Sequence, residues 1–464
     1  MRRVQIGAVE LGIEIVKERI VQAMNTRKGN LQKETIEPEE LRYHVGEKIQ
    51  IHGFIYKIRK MKGFAFVLLR TKRDILQCIY TPEKACFSLD EIKEESAVVI
   101  TAEAVLEERS RTGYDLQLLD IEILSEPEKE SPIVINNKIV DTSMEHLLNY
   151  RPITLRNQKQ RAIFKLQEGI SNGFRRFLMN QNFTEIHTPK LVQSGAEGGA
   201  NLFNLDYFGK KAYLAQSPQV YKQMMIGVFE RVFEIGPVFR AEKHDTSRHL
   251  NEYTSVDFEM GFIRDFHEIM EMETAMLRDM MVFLKDKYAV ELALLNVSLP
   301  ETEEIPEIRF AEAKEWISRE YKREICDWED FEPEEEKLLY RLILQETGSE
   351  FVFVTHYPSK KRPFYAMDSR ENPEETESFD LLFRGLEVTT GGQRIHEFSE
   401  QVAKMERLHM NCELFDSYLM MHRYGMPPHG GLGIGLERFT ARLLKLDNVR
   451  LAALFPRDLH RLVP

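Results

Sequence analysis

The chain has 464 residues, a formal net charge of −12 and 43% apolar residues, which predicts a soluble protein of two or three domains, each with its own core. No apolar run approaches the ~18 residues that span a bilayer, and the N-terminus is unlike a signal peptide, so we expect a cytoplasmic protein. Four widely spaced cysteines without a C-x-x-C pair predict neither a disulfide framework nor a zinc site. The acidic charge argues against indiscriminate nucleic-acid binding.

Residues 1–36 form an N-terminal extension with a short amphipathic pattern, VELGIEIVKERIVQAM. Its charges are mixed rather than basic, which favours a packing helix over a weak nucleic-acid contact.

Residues 37–125 contain five β-type runs, IQIHGFIYKI, FAFVLLRT, ILQCIY, AVVITAEAVLEE and DLQLLDIEIL. Short strands with turn signals between them predict a small closed barrel of the OB-fold type. Such barrels bind single-stranded nucleic acid through basic and aromatic side chains. A basic cluster lies here, although charge-rich edges also keep sheets from associating. It comprises Lys57, Arg59, Lys60, Lys62, Arg70, Lys72 and Arg73.

A Pro- and charge-rich stretch begins at Glu126, and we interpret residues 126–155 as a hinge before a large domain over residues 156–464. Within that domain, the acidic run from Glu332 to Glu336 predicts a solvated surface in a variable region.

The segment FRAEKHDTSRHLNEYTSVDFE, from Phe239 to Glu259, is the most informative in the chain. It predicts two polar-faced strands around a charged loop, with Arg240 and Glu242 on one face of the first strand. Cationic and proton-donating side chains beside an aromatic ring suit a purine nucleotide with its phosphates. Taken alone, the segment also fits an ordinary solvated hairpin.

A glycine-rich segment, GGLGIGLERFTARLL, runs from Gly430 to Leu444. Glycines permit close backbone approach, and a helix N-terminus offers N–H groups to an anion. Arg438 lies in the first turn of the predicted helix. The G-x-G-x-x-G spacing of a Rossmann loop is missing, and no βαβ unit follows.

Together these two segments resemble motifs 2 and 3 of the class II aminoacyl-tRNA synthetases. A third segment, from Ile170 to Val192, is similar to motif 1, a long helix followed by a strand that contains Pro189. The resemblance covers roughly residues 40 to 464. It implies an α+β fold with an antiparallel catalytic sheet flanked by helices, and a homodimer built through motif 1. It also implies activation of an amino acid by ATP and transfer of the aminoacyl group to tRNA.

Substrate choice is indicated by LAQSPQVYKQ and LEVTTGGQRIH, which resemble aspartyl-tRNA synthetases. Two other segments, SKKRPFYAM and the terminal FPRDLHRLVP, resemble the archaeal and eukaryotic type of that family. The resemblance assigns Lys222 and Arg394 to the side-chain carboxylate of L-aspartate. A neutral amide substrate would leave two buried cations uncompensated, which argues against an asparaginyl enzyme. The rivals are an asparaginyl-tRNA synthetase and a catalytically silent tRNA-binding paralogue.

The resemblance implies further contacts to aspartate and ATP. The loop from Ser194 to Phe203 would close over the amino acid, with Glu197 at its α-ammonium group, and Arg240 would bind the α-phosphate. The aspartate site comprises Glu197, Gln219, Lys222, Arg240, Asp257, Thr390 and Arg394. The ATP site comprises Arg240, Glu242, Arg248, His249, Leu250, Tyr253, Glu387, Gly435, Leu436, Glu437 and Arg438. Among these, Arg240 and Arg438 would be the catalytic residues.

Magnesium is implied by the resemblance at Asp380, Glu387 and Thr390, since a hard cation prefers oxygen ligands. By composition alone, the two carboxylates are surface acids among 75 Asp and Glu residues.

In the barrel, the resemblance assigns Arg59, Phe66 and Gln77 to the anticodon of tRNA(Asp). Tyr56 and the loop at Arg109 are predicted to decide whether tRNA(Asn) is charged as well.

Overall fold

The computed structural model describes residues 36, 38–72, 74–108, 110, 113–193 and 201–464. The chain divides into two compact units, Met1–Pro132 and Ile133–Pro464. Within the described residues, no helix combines the length and the apolar character that a bilayer crossing requires. The predicted amphipathic helix of residues 1–36 falls almost wholly outside the described residues.

The first unit is a closed five-stranded barrel in the order β1-β2-β3-β5-β4, as the five β-type runs predict. Inward-facing side chains alternate with outward-facing ones, most regularly in β3, and the inner set forms one apolar core. A bulge in β1 lies between Ile55 and Lys57, where the pairing with β2 shifts register. The strands are β1 Lys48–Lys60, β2 Ala65–Arg70, β3 Ile75–Tyr80, β4 Ala97–Leu106 and β5 Tyr114–Ser125.

The second unit is built on an eight-stranded sheet in the order β12-β13-β14-β15-β16-β11-β10-β6. Its pairings are antiparallel except for β6 with β10 and β12 with β13. A second, small sheet has the order β7-β9-β8. The strands are β6 Thr184–Glu185, β7 Leu191–Val192, β8 Asn204–Tyr207, β9 Lys210–Leu214, β10 Arg231–Phe239, β11 Glu252–Gly261, β12 Glu307–Arg309, β13 Phe351–Thr355, β14 Ser378–Phe383, β15 Glu387–Arg394 and β16 His429–Gly435.

Helices cover this sheet and complete the main core. The helices are α1 Met144–Asn149, α2 Arg151–Thr154, α3 Gln158–Asn180, α4 Gln219–Phe229, α5 His267–Lys287, α6 Ala289–Leu295, α7 Phe310–Tyr321, α8 Pro333–Thr347, α9 Phe398–Arg407, α10 Asp416–Tyr424 and α11 Leu436–Leu443. Apolar faces of α3, α5 and α11 pack together against the central strands. Asn157 caps α3, because its side-chain oxygen accepts from the backbone N–H groups of Lys159 and Gln160.

Three local expectations are wrong. Arg240 and Glu242 do not share a strand face, because β10 ends at Phe239 and both residues belong to the following loop. Pro189 lies between the short strands β6 and β7 rather than in a strand. The acidic run at the start of α8 is not simply a solvated surface, since Glu335 and Glu336 are both buried.

Candidate active site

A cavity of about 410 Å³ opens over the central strands of the second unit. It brings together most of the residues that the sequence assigned to ATP, aspartate and magnesium. These are Gln219, Arg240, Glu242, Arg248, His249, Leu250, Tyr253, Asp257, Asp380, Glu387, Thr390, Arg394, Gly435, Glu437 and Arg438. Residues far apart in the sequence meet here because β16 pairs with β11 on one side and β15 on the other.

The glycines of β16 make this meeting possible. A Cβ atom on Gly431 would lie 2.2 Å from the carbonyl oxygen of Phe258 and 2.3 Å from a carboxylate oxygen of Glu259. On Gly433, a Cβ atom would lie 2.9 Å from Oδ1 of Asp257. The glycine-rich segment therefore leaves room for carboxylates of the neighbouring strand.

At one end of the cavity, two cations and two carboxylates form a buried network. We call this end the amino-acid end, because the sequence predicts the contacts to aspartate there. Lys222 donates from Nζ to Oδ1 of Asp257 at 2.9 Å and lies 3.4 Å from Oε2 of Glu259. Arg394 donates from Nε to Oε1 of Glu259 at 2.9 Å and from Nη2 to the carbonyl of Gly431 at 2.9 Å. Burial alone would raise the pKa of Glu259, but Arg394 and Lys222 hold that pKa below its ordinary value.

This network corrects the charge argument made from the sequence. Lys222 and Arg394 are not two uncompensated cations, because Asp257 and Glu259 balance them within the protein. Arg394 and Asp257 line the cavity, whereas Lys222 is not among the residues that line it. An approaching ligand therefore meets a balanced network rather than two bare positive charges.

We call the other end the nucleotide end, because the sequence predicts the contacts to ATP there. At this end, the loop after β10 is held by a residue that sequence reasoning missed. Asn251 donates from Nδ2 to the carbonyls of Arg240 at 2.7 Å and Glu242 at 3.0 Å. The guanidinium of Arg240 lies over the ring of Tyr253, with its central carbon 5.9 Å from the ring centroid. This arrangement fixes a cation beside an aromatic face, which can serve a phosphate and a purine ring.

Arg438, in the first turn of α11, joins the loop to the sheet. Its Nε donates to the carbonyl of Arg248 at 3.2 Å, and its Nη1 lies 3.5 Å from Oε1 of Glu387. Burial, together with Arg438, lowers the pKa of His249 to about 4, so the imidazole is neutral at neutral pH. Arg248 pairs with Glu336 of α8 at 2.7 Å.

Two carboxylates meet on β14 and β15, where Asp380 faces Thr390 across the pair of strands. Burial, offset in part by Arg362, raises the pKa of Asp380 to about 6. Burial would also raise the pKa of Glu387, but Arg438 and other arginines hold it below its ordinary value. Among the described residues, no group of three His, Cys, Asp or Glu side chains is arranged to hold a metal ion by itself. Two carboxylates with the Thr390 hydroxyl nonetheless form an oxygen donor set that suits a hard cation shared with a ligand.

Three of the assigned residues also make contacts away from the cavity. Leu436 belongs to the apolar core and is not among the residues that line the cavity. Leu250 packs with Val449 and Ala453. Glu437 accepts the backbone N–H of Thr254 at 3.0 Å, and burial raises its pKa to about 7.

The segment SKKRPFYAM contributes cavity residues to which the sequence gave no role in the site. Arg362 lies 4.0 Å above the ring of Tyr357, and its Nη2 is 2.9 Å from Oδ1 of Asp380. Tyr365 and Ala366 also line the cavity. The RPFY run, a basic residue followed by aromatics, was the available signal, but nothing in its spacing specified the partner Asp380.

In the barrel, Arg59, Phe66 and Gln77 share the outer face. Arg59 pairs with Phe66 across β1 and β2, and Gln77 faces Leu68, the next residue on that face of β2. Gln77 donates from Nε2 to Asp115 at 3.2 Å. Tyr56 is 5% exposed at the β1 bulge, so its predicted effect on tRNA choice would have to act through its neighbours. Arg109 and Glu197 lie outside the described residues.

Comparison with known proteins agrees with this geometry. Residues 143–459 match the model of the family "tRNA synthetases class II (D, K and N)". The chain therefore belongs to the class II tRNA synthetases of this group.

Individual relatives match over nearly their whole lengths. An aspartate–tRNA(Asp/Asn) ligase of Thermus thermophilus is 43% identical over 426 residues, 92% of this chain and 99% of the relative. A protein of the same name from Deinococcus radiodurans is 42% identical over 431 residues, 92% of this chain and 98% of the relative. Among solved structures, asparaginyl-tRNA synthetase from Pyrococcus horikoshii, complexed with asparaginyl-adenylate, has a TM-score of 0.86 at 29% identity, covering 93% of this chain and 100% of that one.

Proposed function

We propose that the protein is an aspartate–tRNA ligase, which activates L-aspartate with ATP and transfers the aspartyl group to tRNA. The observation that carries the proposal is one cavity that joins the Arg394 network to Arg240 and Arg438. The similarity to two aspartate–tRNA(Asp/Asn) ligases above 40% identity supports the same substrate.

In this proposal, Arg394 binds the side-chain carboxylate of aspartate from the cavity wall. Lys222 also contacts this carboxylate when aspartate binds, and its contacts with Asp257 and Glu259 become weaker in exchange. Gln219, Asp257 and Glu197 hold the α-ammonium group. Gln219 lines the cavity, and its Nε2 has no hydrogen-bond partner among the described residues, which supports a ligand contact there.

At the nucleotide end, Arg240 binds the α-phosphate and the reacting carboxylate, and Tyr253 stacks on adenine while Glu242 contacts its edge. Arg438, with Arg248 and neutral His249, binds the distal phosphates. The substrate carboxylate is itself the nucleophile, so positioning and charge stabilisation carry the reaction without a protein base.

Magnesium would be held by Asp380, Glu387 and Thr390 together with phosphate oxygens of ATP. Proteins commonly bind Mg²⁺ through one or two carboxylates plus substrate phosphates, so an all-protein cage is not required. The ion would neutralise phosphate charge.

For tRNA, we propose that Arg59, Phe66 and Gln77 bind the anticodon and that both tRNA(Asp) and tRNA(Asn) are charged. The names of the Thermus and Deinococcus relatives support the second substrate. We also propose a homodimer built through α3 and the segment that follows it, as the motif 1 resemblance implies. The barrel would begin near residue 37, with residues 126–155 as its connection.

Amino-acid-dependent exchange of pyrophosphate into ATP tests the proposal with purified protein. We expect exchange with aspartate and none above background with asparagine or lysine. Exchange that depends on asparagine would favour the asparaginyl rival, which the Pyrococcus structure represents. No exchange with any amino acid would favour the silent paralogue, although Arg240, Glu387 and Arg438 are all in place.

A further inference from the structure

The carboxylate of Glu336 contacts the nucleotide end through Arg248, although the sequence assigned no functional role to this part of the chain. Glu336 lies in the first turn of α8 and accepts from Nη2 of Arg248 at 2.7 Å. The Arg248 side chain is 17% exposed and the Glu336 side chain 7%, so solvent screens this pair far less than an ordinary surface ion pair.

Arg248 connects Glu336 to the cavity. The Arg248 side chain lines the cavity, whereas Glu336 is not among the lining residues. The carbonyl of Arg248 accepts from Nε of Arg438, whose guanidinium lies beside Glu387. Contacts therefore run from Glu336 through Arg248 and Arg438 to Glu387, and Glu336 is the member of this series that lies outside the cavity.

The position of α8 is fixed independently of the Arg248 loop. Glu335 is fully buried and accepts from Nζ of Lys314 at 2.6 Å. Lys314 also donates to the carbonyls of Asp327, at 2.8 Å, and Asp330 in the loop that precedes α8. The first turn of α8 is therefore anchored to α7, and Glu336 presents a carboxylate from a rigid support.

We propose that Glu336 is a positioning residue for adenylate formation, holding the Arg248 guanidinium in the orientation that meets the phosphates of ATP. This inference rests on the proposed function, because it assumes that ATP occupies the nucleotide end. A guanidinium oriented before binding loses less side-chain entropy when the phosphates arrive.

The experiment compares Glu336→Gln with the matched control Glu334→Gln in aspartate-dependent pyrophosphate exchange. Glu334 lies on the same helix but is exposed and pairs only loosely with Lys337, at 3.4 Å. Assays are run at pH about 8, because burial raises the pKa of Glu336 to about 7 and the carboxylate must be ionised. We expect Glu336→Gln to raise the KM for ATP about tenfold, with the KM for aspartate and the melting temperature close to those of the control.

A double-mutant cycle with Arg248→Ala identifies the route of the effect. If Glu336 acts through Arg248, adding Glu336→Gln to Arg248→Ala changes the KM for ATP no further. Equal values for Glu336→Gln and Glu334→Gln would overturn the inference, and so would a parallel loss in both KM values and in thermal stability. Should Glu336→Gln fail to fold, Glu336→Asp keeps the charge but withdraws it from Arg248, and an unchanged KM for ATP in that variant also overturns it. Absence of exchange in the wild-type protein refutes the proposed function instead, so the two failures are distinct.

Discussion

The two ends of the cavity handle charge in opposite ways. At the amino-acid end, Lys222, Asp257, Glu259 and Arg394 have side chains no more than 7% exposed, and each cation already has a carboxylate partner. At the nucleotide end, Arg240 and Arg438 are 40% and 26% exposed, with carboxylates 3.8 and 3.5 Å away.

This difference indicates how each end discriminates. A closed, desolvated network is costly to disturb, so it suits recognition of one small substrate whose charge must fit. More exposed cations with more distant carboxylate partners suit a ligand with several negative charges, such as ATP, part of which would leave as pyrophosphate. The comparison predicts larger effects from single changes at the closed end than at the open end.

The first prediction tests whether cations, rather than the fold alone, keep a buried carboxylate ionised. Glu273 of α5 is as fully buried as Glu259, but it accepts from the Thr389 hydroxyl at 2.6 Å and has no cation among its named partners. Burial raises the pKa of Glu273 to about 8, from an ordinary value of 4.5. The stability from its neutral form is therefore fully present below pH about 4.5 and is lost as the pH rises through about 8.

Glu273→Gln should consequently gain stability relative to the wild type between pH about 5 and pH about 9, by up to about 4 kcal/mol. Urea denaturation at the two pH values measures this, with Glu271→Gln, an exposed position on the same helix, as the control. A stability difference that stays constant with pH would mean that Glu273 is ionised without a cation and that the comparison with Glu259 fails.

A second prediction breaks the closed end. Arg394→Leu leaves Glu259 buried, and among the described residues its remaining ion pair is the 3.4 Å contact to Lys222. Removal of one partner of a buried pair costs about 3–5 kcal/mol. We expect kcat/KM for aspartate in pyrophosphate exchange to fall at least 100-fold or so. Arg423→Leu, at an exposed arginine on α10, is the control; a fall of less than about tenfold would show that Arg394 does not hold the substrate carboxylate.

A third prediction concerns the open end. Arg438→Ala removes a preoriented cation from the phosphates and should slow adenylate formation roughly 100-fold, the size seen when one electrostatic donor is deleted. Single-turnover kinetics measure the rate of adenylate formation in this variant. The control is Arg319→Ala, on the exposed face of α7. Unchanged kinetics in Arg438→Ala would remove this residue from the proposed chemistry.

Sequence reasoning identified the features that follow from local residue patterns. It missed the ion-pair partners that come together only through tertiary contacts. The alternation of the barrel strands and the glycine-rich junction before α11 are local, so five strands and the place of Arg438 were predictable. The partners of Lys222 were not, because Glu259 looked like one more polar residue on a charged strand. The acidic run at the start of α8 looked solvated because the cations that pair with it, Lys314 and Arg248, lie 21 and 88 residues away in the sequence.

The outer face of the barrel is a third region to compare with the two ends of the cavity, and we expect single substitutions there to have the smallest effects. Phe66 is half-buried on the outer face, with the ring of Phe64 edge-on at 5.3 Å, and base stacking on an aromatic ring contributes about 1–3 kcal/mol. We expect Phe66→Ala to lower charging of both tRNAs about tenfold at subsaturating tRNA and to leave pyrophosphate exchange without tRNA unchanged. Tyr43→Ala, at an exposed aromatic of the same unit, is the control.

Tyr56 is buried at the β1 bulge, so we expect Tyr56→Ala to act by shifting that bulge. If that bulge sets the reading of the third anticodon base, Tyr56→Ala changes the ratio of tRNA(Asp) to tRNA(Asn) charging by a few-fold, about 1 kcal/mol. The measurement is aspartate charging of tRNA(Asp) and tRNA(Asn) transcripts by the wild type, Phe66→Ala and Tyr56→Ala. It separates anticodon binding from discrimination between the two tRNAs. An unaltered ratio in Tyr56→Ala places discrimination elsewhere, and efficient charging by Phe66→Ala means that the outer face of the barrel does not read the anticodon.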